Sequence, residues 1–221
     1  FLQPTASQLD GSAGNTETHT QAHSHEKHSQ LGFNDFYSRK WGYDKRYDLY
    51  AYILKAEQLT EPITYLEFGV AAGKSFKWWL AHSTHPDSRF YGFDTFTGLP
   101  EDWNELEAGS MSTDGAIPDV NDDRAEFLKG LFQDTLPDFI QRMPKDKRKV
   151  LMMDADLYTS TLYVLTSLAP YLKSGDVIFF DEFSVPRHEF LAWKNFVDSY
   201  RVDFEVLGAA NNYYFLALKL K

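Results

Sequence analysis

The chain has 221 residues, is 43% hydrophobic and 16% aromatic, and carries a formal net charge of -10. That length and apolar content suit one domain of ordinary size plus an appendage, and the acidity argues against a nucleic-acid backbone as partner. The absence of cysteine excludes a disulfide framework, a thiolate zinc site and a cysteine nucleophile; no apolar run approaches the roughly 20 residues of a membrane-spanning helix, no signal-peptide pattern is visible, and a cytoplasmic location is expected.

Residues 1–30 are rich in Ser, Thr, Gln, Gly and His and read as a flexible tail. His19, His23, His25 and His28 sit there at a spacing that suits either a transition metal or plain solvation. Residues 31–62 form an N-terminal helical segment: Tyr47, Tyr50, Ile53 and Leu54 recur at three- and four-residue intervals, which predicts a helix from about Tyr43 to Leu59, stopped by Pro62. The main domain, 63–221, then alternates strands and helices. Strands are expected at 63–68, 89–93, 125–130, 149–155 and 176–180. Helices are expected at 73–83, at 135–143 with Pro137 in its first turn, at 159–172 ended by Gly175, and at 187–200. Two strands, 203–208 and 213–220, finish the chain. Such alternation implies an α/β, Rossmann-like, mostly parallel sheet of seven strands with helices on both faces. Only Ala209 to Asn212 separates the final two strands, too short for a helical crossover, so the last strand must run antiparallel.

The first turn, "YLEFGVAAGKS" at residues 65–75, lies where open α/β sheets hold ligands, outside the carboxyl ends of the strands. Gly69 and Gly73 bracket Val70, and their spacing is not the G-x-G-x-x-G of a nicotinamide site. Ser75, in the first helical turn, is placed to bind a ligand carboxylate, and Glu67 to accept a cationic or amino group. Asp94 follows Gly73 by 21 residues in "YGFDTFTGLP", where an acid commonly accepts both hydroxyls of a ribose. An amino-acid end and a ribose together describe S-adenosylmethionine.

Asp154 and Asp156, two apart at the end of the fourth strand, share one face. Asp181 and Glu182 end the neighbouring fifth strand. Four carboxylates in one crevice repel unless protons or a cation compensate, and an all-oxygen set favours magnesium or calcium. Asp156 is also placed to cap the helix near Thr159.

"EFGVAAGKS", "YGFDTFTGLPEDW", "GLFQDTLP", "DADLYTST" and "DVIFFDEF", in that order over about residues 60–185, resemble the macrocin O-methyltransferase family, class I S-adenosylmethionine-dependent sugar O-methyltransferases of antibiotic biosynthesis. The resemblance implies the reversed last strand that the hairpin already requires, and makes 63–221 a methyltransferase domain. It puts the methionine end of the cofactor on the glycine turn (Glu67, Gly69, Val70, Gly73, Ser75), the ribose on Asp94 with Thr95 beside it, and the adenine beside Gln133 and Asp134. It assigns Asp154, Asp181 and Glu182 to a divalent cation such as Mg2+, and Asp156 to the base. The family's usual pair of aspartates followed by tyrosine is here Asp181, Glu182 and Phe183, which alters the reach of one ligand.

The implied reaction is methyl transfer to a hydroxyl of a small-molecule acceptor, a sugar or related natural product, with Asp156 taking the proton and His188 either a weaker base candidate or a surface helix residue. A non-catalytic module of the same fold and a catechol-type metal-dependent O-methyltransferase are the alternatives; a homo-oligomer is compatible with either. The segment Leu99–Glu126 carries nine acids against Arg124 alone, and its length for a connection suits either a mobile lid over the acceptor or an acidic, solvated insertion. Trp103 in that segment is placed to stack on a sugar, and the acidity favours a neutral or cationic acceptor.

Overall fold

The structure is a computed structural model that describes residues 34–36 and 41–221. The four tail histidines therefore lie outside the described residues. Among these, eight strands form one sheet: β1 (Asn34–Phe36), β2 (Ile63–Phe68), β3 (Arg89–Asp94), β4 (Ala125–Lys129), β5 (Arg148–Met153), β6 (Val177–Phe180), β7 (Phe204–Ala210) and β8 (Phe215–Leu220). Their order is β1-β7-β8-β6-β5-β2-β3-β4. Only β8 is antiparallel to its neighbours β6 and β7. The seven expected strands are present, and β1 adds a short parallel edge beyond β7.

Among the described residues, five α-helices accompany the sheet: α1 (Lys45–Ala56), α2 (Lys74–His82), α3 (Phe132–Arg142), α4 (Tyr158–Leu168) and α5 (Glu189–Tyr200). Among the described residues no helix is long and apolar enough to cross a membrane. The alternation of strand side chains assigns each helix to a face. Tyr65, Phe90, Met152 and Phe179 face α1 and α2, where Leu49, Tyr50, Ile53, Phe76 and Trp79 complete one buried cluster. The α1 segment thus belongs to the core of the domain. On the other face Phe93 meets Phe139 of α3 and Phe180 meets Trp193 of α5 edge to face.

Several boundaries differ from expectation by one to four residues, and two of the differences have a clear local cause. Helix α3 starts at Phe132, so Pro137 lies inside it and not in its first turn. Proline has no N–H, so it cannot close a bond to the carbonyl of Gln133, four residues back. The strong amphipathic burial of Leu136, Phe139 and Ile140 holds the helix together across it. The β7–β8 strands extend to Ala210 and start at Phe215, so the turn is Asn211 to Tyr214, with three successive left-handed residues at φ 53, 57 and 65°.

Register brings the chemistry to one rim. Phe68 pairs with both Phe93 and Met153, and Met153 pairs with Phe180. The residues immediately beyond this row are Gly69, Asp94, Asp154 and Asp181. Period-two pairing of parallel strands thus sets side by side four motifs spread over more than half the sequence.

Candidate active site

A cavity of about 540 Å³ opens at this rim, within the roughly 300–1,000 Å³ of pockets that bury a small organic ligand. The glycine turn forms one wall. Gly69 has φ +92°, and a Cβ there would fall 1.8 Å from the carbonyl oxygen of Asp154. Its lack of a side chain lets the ends of β2 and β5 close together. Gly73 has φ +72° and packs under Pro118 of the acidic segment. Asp94 ties the turn to β3: its carboxylate accepts the backbone N–H groups of Val70, Ala71 and Phe96, each at 2.7 Å. It also lines the cavity, with Val70, Thr95 and Gln133. Asp134 does not line it.

Glu67 and Ser75 are placed differently from the sequence expectation. Glu67 is fully buried and does not line the cavity; its two oxygens accept the hydroxyls of Tyr65 and Ser75. It cannot meet an amino group directly in this arrangement. Ser75 lines the cavity, but its hydroxyl is already paired with Glu67 at 2.7 Å. The i, i+2 spacing of Tyr65 and Glu67 on one strand face was the available signal for this.

Burial pushes the Glu67 carboxyl up to about 8, against the lowering effect of its two hydroxyl partners. A folded-state value above the unfolded one means that the folded chain keeps the proton longer. The associated stability is complete below about pH 4.3, the ordinary glutamate value, and is lost as pH rises through about 8. A Glu67→Gln variant stays neutral throughout. Its melting temperature relative to the parent should climb between pH 5 and pH 9; a constant difference would show that Glu67 is already ionised in the fold.

The acidic cluster lies beside the glycine turn, at the ends of β5 and β6. Asp154 and Asp156 line the cavity; Asp181 and Glu182 lie behind them, outside its lining. Asp181 is 1% exposed, accepts the Tyr43 hydroxyl at 2.8 Å and lies 3.4 Å from Arg46. Glu182 accepts the Tyr214 hydroxyl, and its second oxygen is buried without a partner. Glu189, a residue the sequence reading missed, is fully buried and accepts the backbone N–H of Glu182 at 3.0 Å, its other oxygen unpartnered. An acid in a first helical turn reads in sequence only as a complement to the helix dipole. Burial, then repulsion by Glu182 and Asp181, pushes Asp156 up to about 8. Burial and the neighbouring acids likewise raise Asp154 and Glu189. Asp156 holds a left-handed backbone at φ 57°, a strain that non-glycine residues keep only where the surroundings impose it.

The donor chemistry suits a hard divalent cation: every group is a carboxyl, and Glu182 has an unpartnered buried oxygen. As these side chains stand, however, no three of them converge as a metal site requires among the described residues.

The acidic segment is folded against the body. Leu99 and Ser110 pair through their backbone, Gly109 returns a bond to Leu99, and Arg124 bonds the carbonyls of Leu80 and Ser83 at the end of α2. Leu99, Glu101 and Met111 line the cavity, and Glu101 accepts the Thr159 hydroxyl at 2.6 Å. Trp103 is 9% exposed, does not line the cavity, and meets His188 edge to face at 6.0 Å. His188 does not line it either. Trp103 thus anchors the segment in this arrangement, and Glu101 is the acid that faces the ligand space.

The family profile described as Macrocin-O-methyltransferase (TylF) matches residues 55–209. The demethyldecarbamoylnovobiocin O-methyltransferase of Streptomyces niveus is 38% identical over 88 residues, 40% of this chain and 30% of the relative. The mycinamicin III 3''-O-methyltransferase of Micromonospora griseorubida is 38% identical over 65 residues, 29% of this chain and 24% of the relative. These matches span less than a third of the relatives' length. Among solved structures, the calicheamicin methyltransferase CalS11 superposes with a TM-score of 0.63 at 19% identity, over 97% of this chain and 99% of that one, which shows a shared fold. With the profile covering more than half of the sequence, this chain belongs to the macrocin O-methyltransferase family.

Proposed function

We propose that the protein transfers a methyl group from S-adenosylmethionine to a hydroxyl of a sugar or related natural product, in an antibiotic-type biosynthetic setting; its relatives are named as O-methyltransferases of demethyldecarbamoylnovobiocin and of mycinamicin III. One observation carries the reading: a single cavity is lined by the glycine turn, Asp94 and the Asp154–Asp156 pair. The carboxylate of Asp94 has remaining acceptor capacity for a ribose hydroxyl after its three backbone bonds. Gln133 and Phe132 offer an amide and an aromatic face for a base.

Asp156 takes the proton from the acceptor hydroxyl, and the oxygen so freed attacks the sulfonium methyl in line, the carbon–sulfur electron pair returning to sulfur. Asp154, Asp181 and Glu182 would have to move together to hold a divalent cation, which when bound would lower the cost of negative charge on an oxygen. For Asp181 this asks Tyr43 and Arg46 to share it. Glu101 and the acids of the segment around it disfavour an anionic acceptor.

The test is incubation with S-adenosylmethionine, Mg2+ and a panel of neutral, amino and acidic deoxysugar glycosides, read by mass spectrometry. One added methyl on a neutral or amino sugar, abolished by excess chelator, is expected. Turnover that persists in chelator removes the cation from the account; no methylation of any hydroxyl removes the sugar reading.

A further inference from the structure

With the Ser75 hydroxyl paired to buried Glu67, the methionine end of the cofactor needs a further receptor. Among the described residues lining the cavity, the cations are Arg46 and Lys74. Lys74 is exposed at the start of α2, where a mobile ammonium in water contributes little. Arg46 is different. It is 5% exposed, on the first turn of α1, and reaches the same cavity as the glycine turn.

Its guanidinium is fixed but under-used. It lies over the Tyr43 ring at 4.2 Å and the Tyr47 ring at 5.2 Å. Its hydrogen bonds, to Asp181 and to the Tyr47 hydroxyl, are both 3.4 Å long, and its Nε is buried without a partner. A guanidinium presents five N–H donors in a rigid fork that matches a carboxylate, so most of that capacity remains. Asp181 supplies the counter-charge that keeps the cation in place when the cavity is empty of anion. Arg46 also precedes the stretch 55–209 that matches the family profile, so the resemblance assigns it nothing.

We propose that Arg46 is the receptor for the carboxylate of the cofactor's methionine moiety. This rests on the S-adenosylmethionine reading above. It gives the N-terminal segment a role in the site: Tyr43 orients Asp181 and stacks on Arg46, and Arg46 fixes the amino-acid end so that the sulfonium faces Asp156.

The experiment compares two ligands on the full chain with no acceptor present, so that any loss reports the cofactor alone. S-adenosylhomocysteine carries the carboxylate; 5'-methylthioadenosine keeps the nucleoside and thioether but lacks the amino-acid group. Arg46→Gln should weaken S-adenosylhomocysteine about tenfold to 100-fold, as expected for charge-assisted hydrogen bonds, and leave 5'-methylthioadenosine within about twofold. Arg46→Lys, which keeps the charge beside Asp181 but loses the fork, should show the same selective loss to a smaller degree, and serves if the glutamine variant does not fold. Equal losses for both ligands would make Arg46 a structural residue only and overturn the proposal, as would no loss for either. If the parent protein binds neither ligand, the cofactor reading falls and this proposal with it.

Discussion

Replacing Gly69 by alanine is expected to lower the melting temperature by about 8–16 °C and to abolish cofactor binding. Two costs add. A side chain at φ +92° sits in backbone territory that costs roughly 1–3 kcal/mol. The new Cβ would also lie 1.8 Å from the Asp154 carbonyl oxygen, an overlap that backbone movement must relieve for about another 1–3 kcal/mol. The sum, about 4 kcal/mol, converts at roughly 2–4 °C per kcal/mol for a chain of this size. Gly175 provides the control. Its φ is +91°, almost the same, yet nothing lies within 4 Å of its would-be Cβ. Gly175→Ala should therefore show the backbone cost alone, about half the effect, with ligand binding intact. Equal destabilisation of the two variants, read by thermal melts, would show that the β2–β5 closure is not tight.

The second large effect is on turnover. Asp156→Asn should reduce kcat by about 10²–10⁴-fold, the usual contribution of a positioned base, with the affinity for S-adenosylhomocysteine unchanged. Asparagine is the substitution of choice because it tolerates the left-handed backbone that Asp156 holds at φ 57°. A structural role alone would instead lower stability and leave kcat near the parent value. Retained turnover in a folded Asp156→Asn protein would transfer the base to another group.

Much of this was legible before any coordinates. Apolar runs of strand length, separated by amphipathic stretches, gave away the parallel sheet, and the short link before the last strand required its reversal. The strand ITYLEF falls at Ile63–Phe68 as read, because all six residues are buried and its ends are marked by Pro62 and Gly69. The glycines and Asp94 were visible because special backbone geometry and ligand-facing strand ends constrain residue type. Three-residue β1 was not, since so short an edge has no period to detect. Nor were the partners of the acidic cluster. Tyr43, Arg46 and Tyr214 reach Asp181 and Glu182 from 138, 135 and 32 residues away, and such contacts leave no trace in local pattern. Glu67 and Ser75 were recognised as belonging to the turn, but burial turned them toward each other.

On this reading the cavity at the carboxyl rim of the sheet binds S-adenosylmethionine. Calorimetric titration of the full chain with S-adenosylhomocysteine, with NAD as comparison, tests it most directly. The account predicts saturable binding of S-adenosylhomocysteine at one site per chain, competed by S-adenosylmethionine and absent for NAD. No heat of binding with S-adenosylhomocysteine, or equal binding of NAD, would contradict it.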